Sequence, residues 1–324
     1  MGQSKSTNQP LKMFFLTPAY GEIPGGSAYI DLMQALSSMS RKSFRQGMNV
    51  AVSNIALHTT SSGSCLVQTA PKNWSCDNAI TKAFETWKDQ RALVLKEQPS
   101  LKAAWSDFKV YLDGLHVDLG AANNLKPIYY TSWSGGVGIG SANEFPVGEW
   151  MPSQLVNPGA DNIAGSATEM TLHIVGDNRP AGAYDQTTTQ SLGLIEAYKN
   201  SRAVIMSPDP VQPTDPYGFY NTISAPDAMG ETVQANLVDN NNDPPYDKTC
   251  YPGDATHPVL DTTHLAFFNN FGDTGAVSVS NSGPEIIPMG LIKITPTLTD
   301  AQPVLIEIDL VPGNQKGIMA ERGV

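Results

Sequence analysis

Near the C-terminal end of the chain, Val304, Ile306, Ile308 and Leu310 alternate with Leu305, Glu307 and Asp309. A period of two with a largely polar second face predicts a half-buried β-strand. Weaker extended patterns recur in FKVYLDGLHVDL, ATEMTLHIVGD, SLGLIEAYKN, HLAFFNN, AVSVS and LIKITPTL. In MNVAVSNIALHT, Val50 and Val52 share one face, while Ile55 and Leu57 keep the period but shift its phase. One extra residue near Ser53–Asn54, a β-bulge, absorbs such a shift. Tyr29 to Met39 carries apolar residues at Ile30, Met33 and Leu36, the spacing of a short amphipathic helical turn or an irregular edge element.

The clearest helix is predicted over Asn78 to Glu97, capped by Asp77 or Asn78 and stopped by Pro99. Ile80, Ala83, Phe84, Trp87, Arg91, Val94 and Leu95 lie near one side, so the helix is expected to cover a sheet, with Trp87 as packing. Segments 120–165, 205–262 and 270–290 are rich in Gly, Pro, Asn and Ser and read as long structured loops. The order of elements does not match βαβ repeats. A mainly β fold follows: an antiparallel β-sandwich with long loop insertions and at least one helix. Residues 1–28 are expected to be a flexible N-terminal segment, ahead of one domain over 29–324 with a projecting portion within 120–290.

Charge changes the picture most. The 324 residues carry 20 Lys and Arg against 31 Asp and Glu, a formal charge of −11. The basic residues near the start (Lys5, Lys12, Arg41, Lys42, Arg45) are diluted by polar and apolar ones, so no basic arm is present to hold nucleic acid by counterion release. No apolar run approaches the roughly 18 to 20 residues needed to cross a bilayer, and no transmembrane segment is expected. The start of the chain lacks a long apolar stretch of signal-peptide type. Cys65, Cys76 and Cys250 form no CxxC pair; free thiols are expected, with a Cys65–Cys76 bridge as the alternative.

Catalytic patterns fail on inspection, and no enzyme is expected. There is no GxSxG elbow, and Ser134 in SWSGG has no base or orienting acid assigned by sequence. There is no HExxH, and His58, His116, His173, His257 and His264 lack zinc spacing, with His257 and His264 the nearest to a shared metal. Two acid pairs, Glu144 with Glu149 and Asp107 with Asp113, fit sugar hydrolysis only if each faces across one site. Asp239, Asn241, Asp243 and Asp247 in DNNNDPPYD are the candidate calcium ligands, being hard oxygen donors in a tight loop. An EF-hand is excluded, because Pro244 and Cys250 stand where its glycine and glutamate belong; a solvated Asx-rich turn is the alternative. Gly2 and Ser6 satisfy the M-G-x-x-x-[ST] lipidation pattern.

Several strings together resemble capsid proteins of small circular single-stranded DNA viruses: DLMQALSSMSRKSFRQGM, NWSCDNAITKAFETWKDQ, DFKVYLDGLHV, GEWMPSQLV, LHIVGD, GLIEAYKNSRAVIMSPDP, DNNNDPPYD, MGLIKI and LVPGNQKGIMAERG. They span residues 31 to 323. The resemblance implies a jelly-roll coat subunit, with a compact double jelly roll as the alternative, that self-assembles into an icosahedral shell in the virion after synthesis inside a host cell. It also implies a genome of single-stranded DNA, touched weakly or indirectly, and a host-surface receptor. The basic inner arm expected of such proteins is missing. Arg41, Lys42 and Arg45 are the candidates for a genome-facing patch or an intersubunit contact, and Trp87, Trp105, Trp133 and Trp150 for packing or interface. A β-sandwich carbohydrate-binding protein is the rival class, with aromatics in 128–150 and 217–220 as its sugar platform.

Overall fold

A computed structural model describes residues 11–103, 107–130, 142–157, 168–179, 190–202, 244–269 and 277–323. In chain order the first strands are β1 (Lys12–Leu16), β2 (Ala28–Asp31), β3 (Met48–Thr59), β4 (Gly63–Thr69), β5 (Tyr111–Asp113) and β6 (Ile128–Tyr130). Next come β7 (Ala142–Glu144), β8 (Gln154–Asn157), β9 (Thr168–Val175), β10 (Ser191–Gly193), β11 (Asp261–Phe268) and β12 (Ser278–Asn281). The last are β13 (Glu285–Ile287), β14 (Leu291–Leu298), β15 (Leu305–Leu310), β16 (Pro312–Gly313), β17 (Gly317–Ile318) and β18 (Ala320–Arg322). The helices are α1 (Leu32–Ser40), α2 (Trp74–Glu97), α3 (Gly114–Leu119) and α4 (Leu194–Ser201).

Two antiparallel sheets share the main core. The first runs β1-β15-β3-β12, with β13 and β18 also on β3, and the second runs β11-β4-β14-β2. The strand period decides which side chains meet. Met13, Phe15, Ile55, Leu57, Ile306 and Ile308 point inward from the first sheet, against Ile30, Val67, Phe268, Ile292 and Ile294 from the second. β15 alternates as its sequence predicts, with Glu307 and Asp309 on the outer face beside Lys12. The phase shift in β3 is a bulge: Asp309 pairs with Asn54 and Leu310 with Val52, leaving Ser53 out of the ladder. Gly63 opens β4 at φ 140°, where an added Cβ would stand 2.2 Å from the Thr297 carbonyl oxygen, so only glycine fits that approach.

Between Thr69 and Asp261, which stand opposite each other on β4 and β11, the chain makes a long excursion. Within it, the described residues build a third sheet, β10-β9-β5 with β8 on β9, flanked by α2 and α4. Ile80, Ala83, Val110, Leu172, Ile174 and Ile195 pack there with Tyr29, Met289 and Leu291. Leu291 lies on the face of β14 opposite to Ile292, so the inserted unit covers part of the outer side of the second sheet.

Four sequence expectations need correction. The segment 1–28 is not flexible throughout: β1 pairs with β15, and Met13 and Phe15 are fully buried. The long helix starts at Trp74, because Asn73 rather than Asp77 or Asn78 caps it, its side chain accepting from the Cys76 N–H at 2.8 Å. Its last turns extend past the sheet, leaving Leu93 and Val94 exposed. FKVYLDGLHVDL and SLGLIEAYKN each give only a three-residue strand before turning into α3 and α4. The third sheet is mixed, with β5 and β10 parallel to β9. Asp113 explains the first break, since its carboxylate accepts from the His116 N–H and caps α3.

Phe15→Ala is expected to lower unfolding free energy by about 3–5 kcal/mol in urea titrations, the usual cost of an aromatic core truncation. A loss below about 0.5 kcal/mol, typical of surface sites, would return this strand to the flexible segment.

Candidate functional site

An open cleft of about 880 Å³ lies between the end of α1, the middle of α2 and the 147–154 segment. It is organised from Asp31, the last residue of β2, which is 2% exposed. The Asp31 carboxylate caps α1 by accepting from the Met33 and Gln34 N–H groups at 2.9 and 3.1 Å. Its second oxygen accepts from Gln46 Nε2 at 2.9 Å and from the Trp150 indole N–H at 2.8 Å. Gln46 in turn clasps both backbone groups of Val110, just ahead of β5. One buried carboxylate thus fixes a helix start, an indole of the cleft wall and the inserted unit.

Lys109 sits beside this hub. Its backbone N–H donates to Ser153 Oγ at 3.0 Å, and its ammonium lies 4.6 Å from the Trp150 ring centroid. Lys109 is 8% exposed, and among the described residues no carboxylate meets it. α1 ends on Arg41 in the left-handed region (φ 52°, ψ 39°), which carries Arg41 and Lys42 to the lip of the cleft as exposed cations. Ser37 Oγ accepts from the Phe44 N–H at 2.9 Å and closes the turn behind them. Arg45 pairs with Asp107 at 3.2 Å, but the arginine is 78% exposed, so the pair adds little stability. Trp87 forms another part of the wall, its ring near Phe84, Phe108 and the Arg91 guanidinium.

The structure therefore brings together Arg41, Lys42, Trp87 and Trp150, with Arg45 adjoining, and adds Lys109, which sequence reading passed over. No signal in the sequence marked it: Lys109 alternates with Phe108 and Val110, which face the core, and so takes the position where a polar residue is ordinary. Trp105, Trp133, Ser134, Gly2, Asp239, Asn241 and Asp243 lie outside the described residues, as do the 217–220 aromatics. Asp247 accepts from the Thr249 N–H and hydroxyl at 2.8 and 2.7 Å, an Asx-type turn. Among the described residues, no group of three or more His, Cys, Asp or Glu stands ready to hold a metal.

A second cleft of about 520 Å³ is lined by Asp113, Asp177, Lys293 and Arg179, and both of these cations have acid partners. Asp113 meets Lys293 and the Tyr29 hydroxyl at 2.7 Å each, and Arg179 pairs with Asp118. Burial pushes the Asp113 carboxyl up, but the Lys293 ammonium and the Tyr29 hydroxyl bring it below its ordinary value. His116 stacks on Tyr29 and is held neutral, its pKa lowered by burial to about 4. Its Nδ1 accepts from the Leu112 N–H, so Nε2 carries the proton toward Asn124 Oδ1 at 2.7 Å. Neither acid pair faces across one site: Asp107 lines the first cleft and Asp113 the second, while Glu144 is held by Lys126.

His257 and His264 have separate partners, Cys250 Sγ at 2.9 Å and Ser280 Oγ at 2.9 Å. Desolvation and the Asp254 and Asp247 carboxylates raise the Cys250 pKa, opposite to what an activated thiolate requires. Cys65 and Cys76 are free and lie in different cores. Of the rival sugar platform, Tyr129 packs at a tilt on Phe145, 4.9 Å between centroids. Comparison with protein-family models, curated proteins and solved structures returned no match.

The Asp31 hub gives a pH signature. Burial raises its pKa from 3.8 to about 6, against the opposing pull of its four hydrogen bonds. Folding therefore favours the protonated acid. The contribution to stability is full below pH 3.8 and is lost as pH rises through about 6. Relative to Asp31→Asn, the wild type is expected to lose on the order of 3 kcal/mol across that window, two pKa units being worth about that much. Urea titrations from pH 3.5 to 7 check this; a pH-independent difference between the two proteins would contradict it.

Proposed function

We propose that this chain is a structural subunit that self-assembles into a viral shell, with no catalytic role. Numbering the eight main sandwich strands in chain order (β1, β2, β3, β4, β11, β12 with β13, β14, β15), the sheets read 1-8-3-6 and 2-7-4-5. That interleaving of the two chain ends with the middle strands supports a jelly roll, an architecture shared by capsid and lectin domains. The parallel strands of the inserted sheet favour a single jelly roll with a large insertion over a double one.

The observation that carries the assembly reading is an apolar flank left exposed among the described residues. β11 and β12 end their sheets side by side. Leu265 and Phe267 face outward from β11, 48% and 75% exposed, and Val277, Val279 and Ile286 are each about half exposed near the other edge. Apolar groups gathered on edge strands favour association, and natural edges otherwise carry charge or cover. Burying two such side chains stabilises a contact by about 1.5–3 kcal/mol each. Multiplied around a closed shell, weak contacts of this kind become a stable particle. They also offset repulsion between copies of charge −11, which salt screens beyond about 8 Å at physiological ionic strength. Within the shell reading, the single-stranded DNA genome lies inside, and the inserted unit supplies surface for a host receptor.

Expressed full-length protein is expected to give closed, shell-sized particles in negative-stain electron microscopy. Leu265→Glu with Phe267→Glu should disperse them while leaving the circular dichroism spectrum unchanged. A wild-type protein that stays monomeric, or a double variant that still forms particles, would overturn the reading.

A further inference from the structure

We infer that the cleft around Lys109 holds a phosphate of single-stranded nucleic acid, with Lys109, Arg41 and Lys42 as its cations and the indole wall beside a base. The strongest sign is Lys109 itself. A lysine this buried normally has a carboxylate partner, because restricting an ammonium's contact with water is costly. Lys109 Nζ keeps its contact with water on the cleft side. Here the ammonium meets only the face of Trp150 among the described residues, and it lines the cleft. A cation–π contact offsets part of that cost and leaves the donors of the ammonium free for an anion.

The rest of the wall agrees in sign and shape. Arg41 and Lys42 reach the same cleft with no acid paired to them among the described residues. The two acids of the wall are Asp107, engaged by Arg45 and by Ser43 Oγ at 3.4 Å, and Glu149. Among the described residues, three unpaired cations therefore face one unpaired acid, in a chain whose total charge is −11. A volume near 880 Å³ accepts a nucleotide, and the Trp87 and Trp150 indoles on its wall suit a base. Cations that follow a phosphate, next to aromatic rings that take bases without sequence preference, are the elements of single-strand recognition.

The shell reading is needed only to name the strand as a genome; the phosphate site stands on the cleft. In a chain without a basic arm, this cleft would supply the local genome contact.

The test is fluorescence anisotropy with a labelled oligodeoxythymidylate of about ten nucleotides, within the usual length range of such sites. It uses full-length wild type and, so that closed particles do not hide the cleft, the Leu265→Glu/Phe267→Glu protein. Lys109→Gln is expected to weaken binding by about tenfold or more, as for loss of a charged hydrogen bond. Arg41→Gln with Lys42→Gln, both on exposed positions that do not threaten folding, should also weaken it and lower the salt slope by roughly 0.7 per charge removed. Absence of binding, or equal affinity and salt slope in all variants, would overturn the inference. Thymidine monophosphate binding as tightly as the oligonucleotide would overturn the strand as occupant in favour of a free nucleotide. Particle formation is scored on the same wild-type protein. Particles without oligonucleotide binding overturn the cleft alone, and binding without particles overturns the shell alone.

Discussion

The β11-β4-β14-β2 sheet has two faces and must find cover for both, and most of the molecule follows from how it does so. Its inner face, through Val67, Phe268, Ile292 and Ile294, closes the core against the first sheet. Its outer face is split. Tyr29 and Leu291 are buried under the inserted unit, whereas Leu265 and Phe267 are left in solvent. Because successive side chains on a strand point to opposite faces, residues such as Leu265 and Phe267 cannot turn inward without a register slip that would expose Ala266 and Phe268. The strand period that builds the core thus also fixes the bare flank.

The cleft arises where the inserted unit meets the sandwich. Asp31 stands at that seam, reached by α1, Gln46 and Trp150 together. A buried carboxylate costs free energy, which its four hydrogen bonds offset only in part, and it fixes several elements relative to one another. Lys109 enters the seam from the inserted side, and Arg41 and Lys42 come from the sandwich side. The cleft belongs to neither unit alone. By contrast, in the second cleft Asp113 is bound to Lys293 and Tyr29, a contact that joins layers.

Strands with a strong period of two, above all β15 and β3 with its bulge, were legible because burial on one face imposes that pattern locally. The N-terminal strand was not: KMFFL has the right alternation, but only its pairing with β15, some 290 residues away, separates it from a loose tail. The breaks at Asp113 and Gly193 were hidden because three-residue strands carry almost no periodic signal. Arg41, Lys42, Trp87 and Trp150 were picked out as residue types, yet nothing in their spacing announced that they share a cleft. Lys109 was missed because a lone lysine just ahead of a short strand, alternating with Phe108 and Val110, reads as a solvated side chain until its neighbours are known. The Cys250–His257 contact, across a turn held by the buried Asp254, was hidden in the same way.

Self-assembly as proposed requires the apolar flanks to overcome the mutual repulsion of acidic copies. Sedimentation velocity of the full-length protein over a range of salt concentrations tests this most directly, because screening and apolar association act in the same direction. The expected result is a shift from dispersed subunits to particles as salt and protein concentration rise. A single monomer boundary at every condition, or particles that dissolve as salt increases, would contradict it.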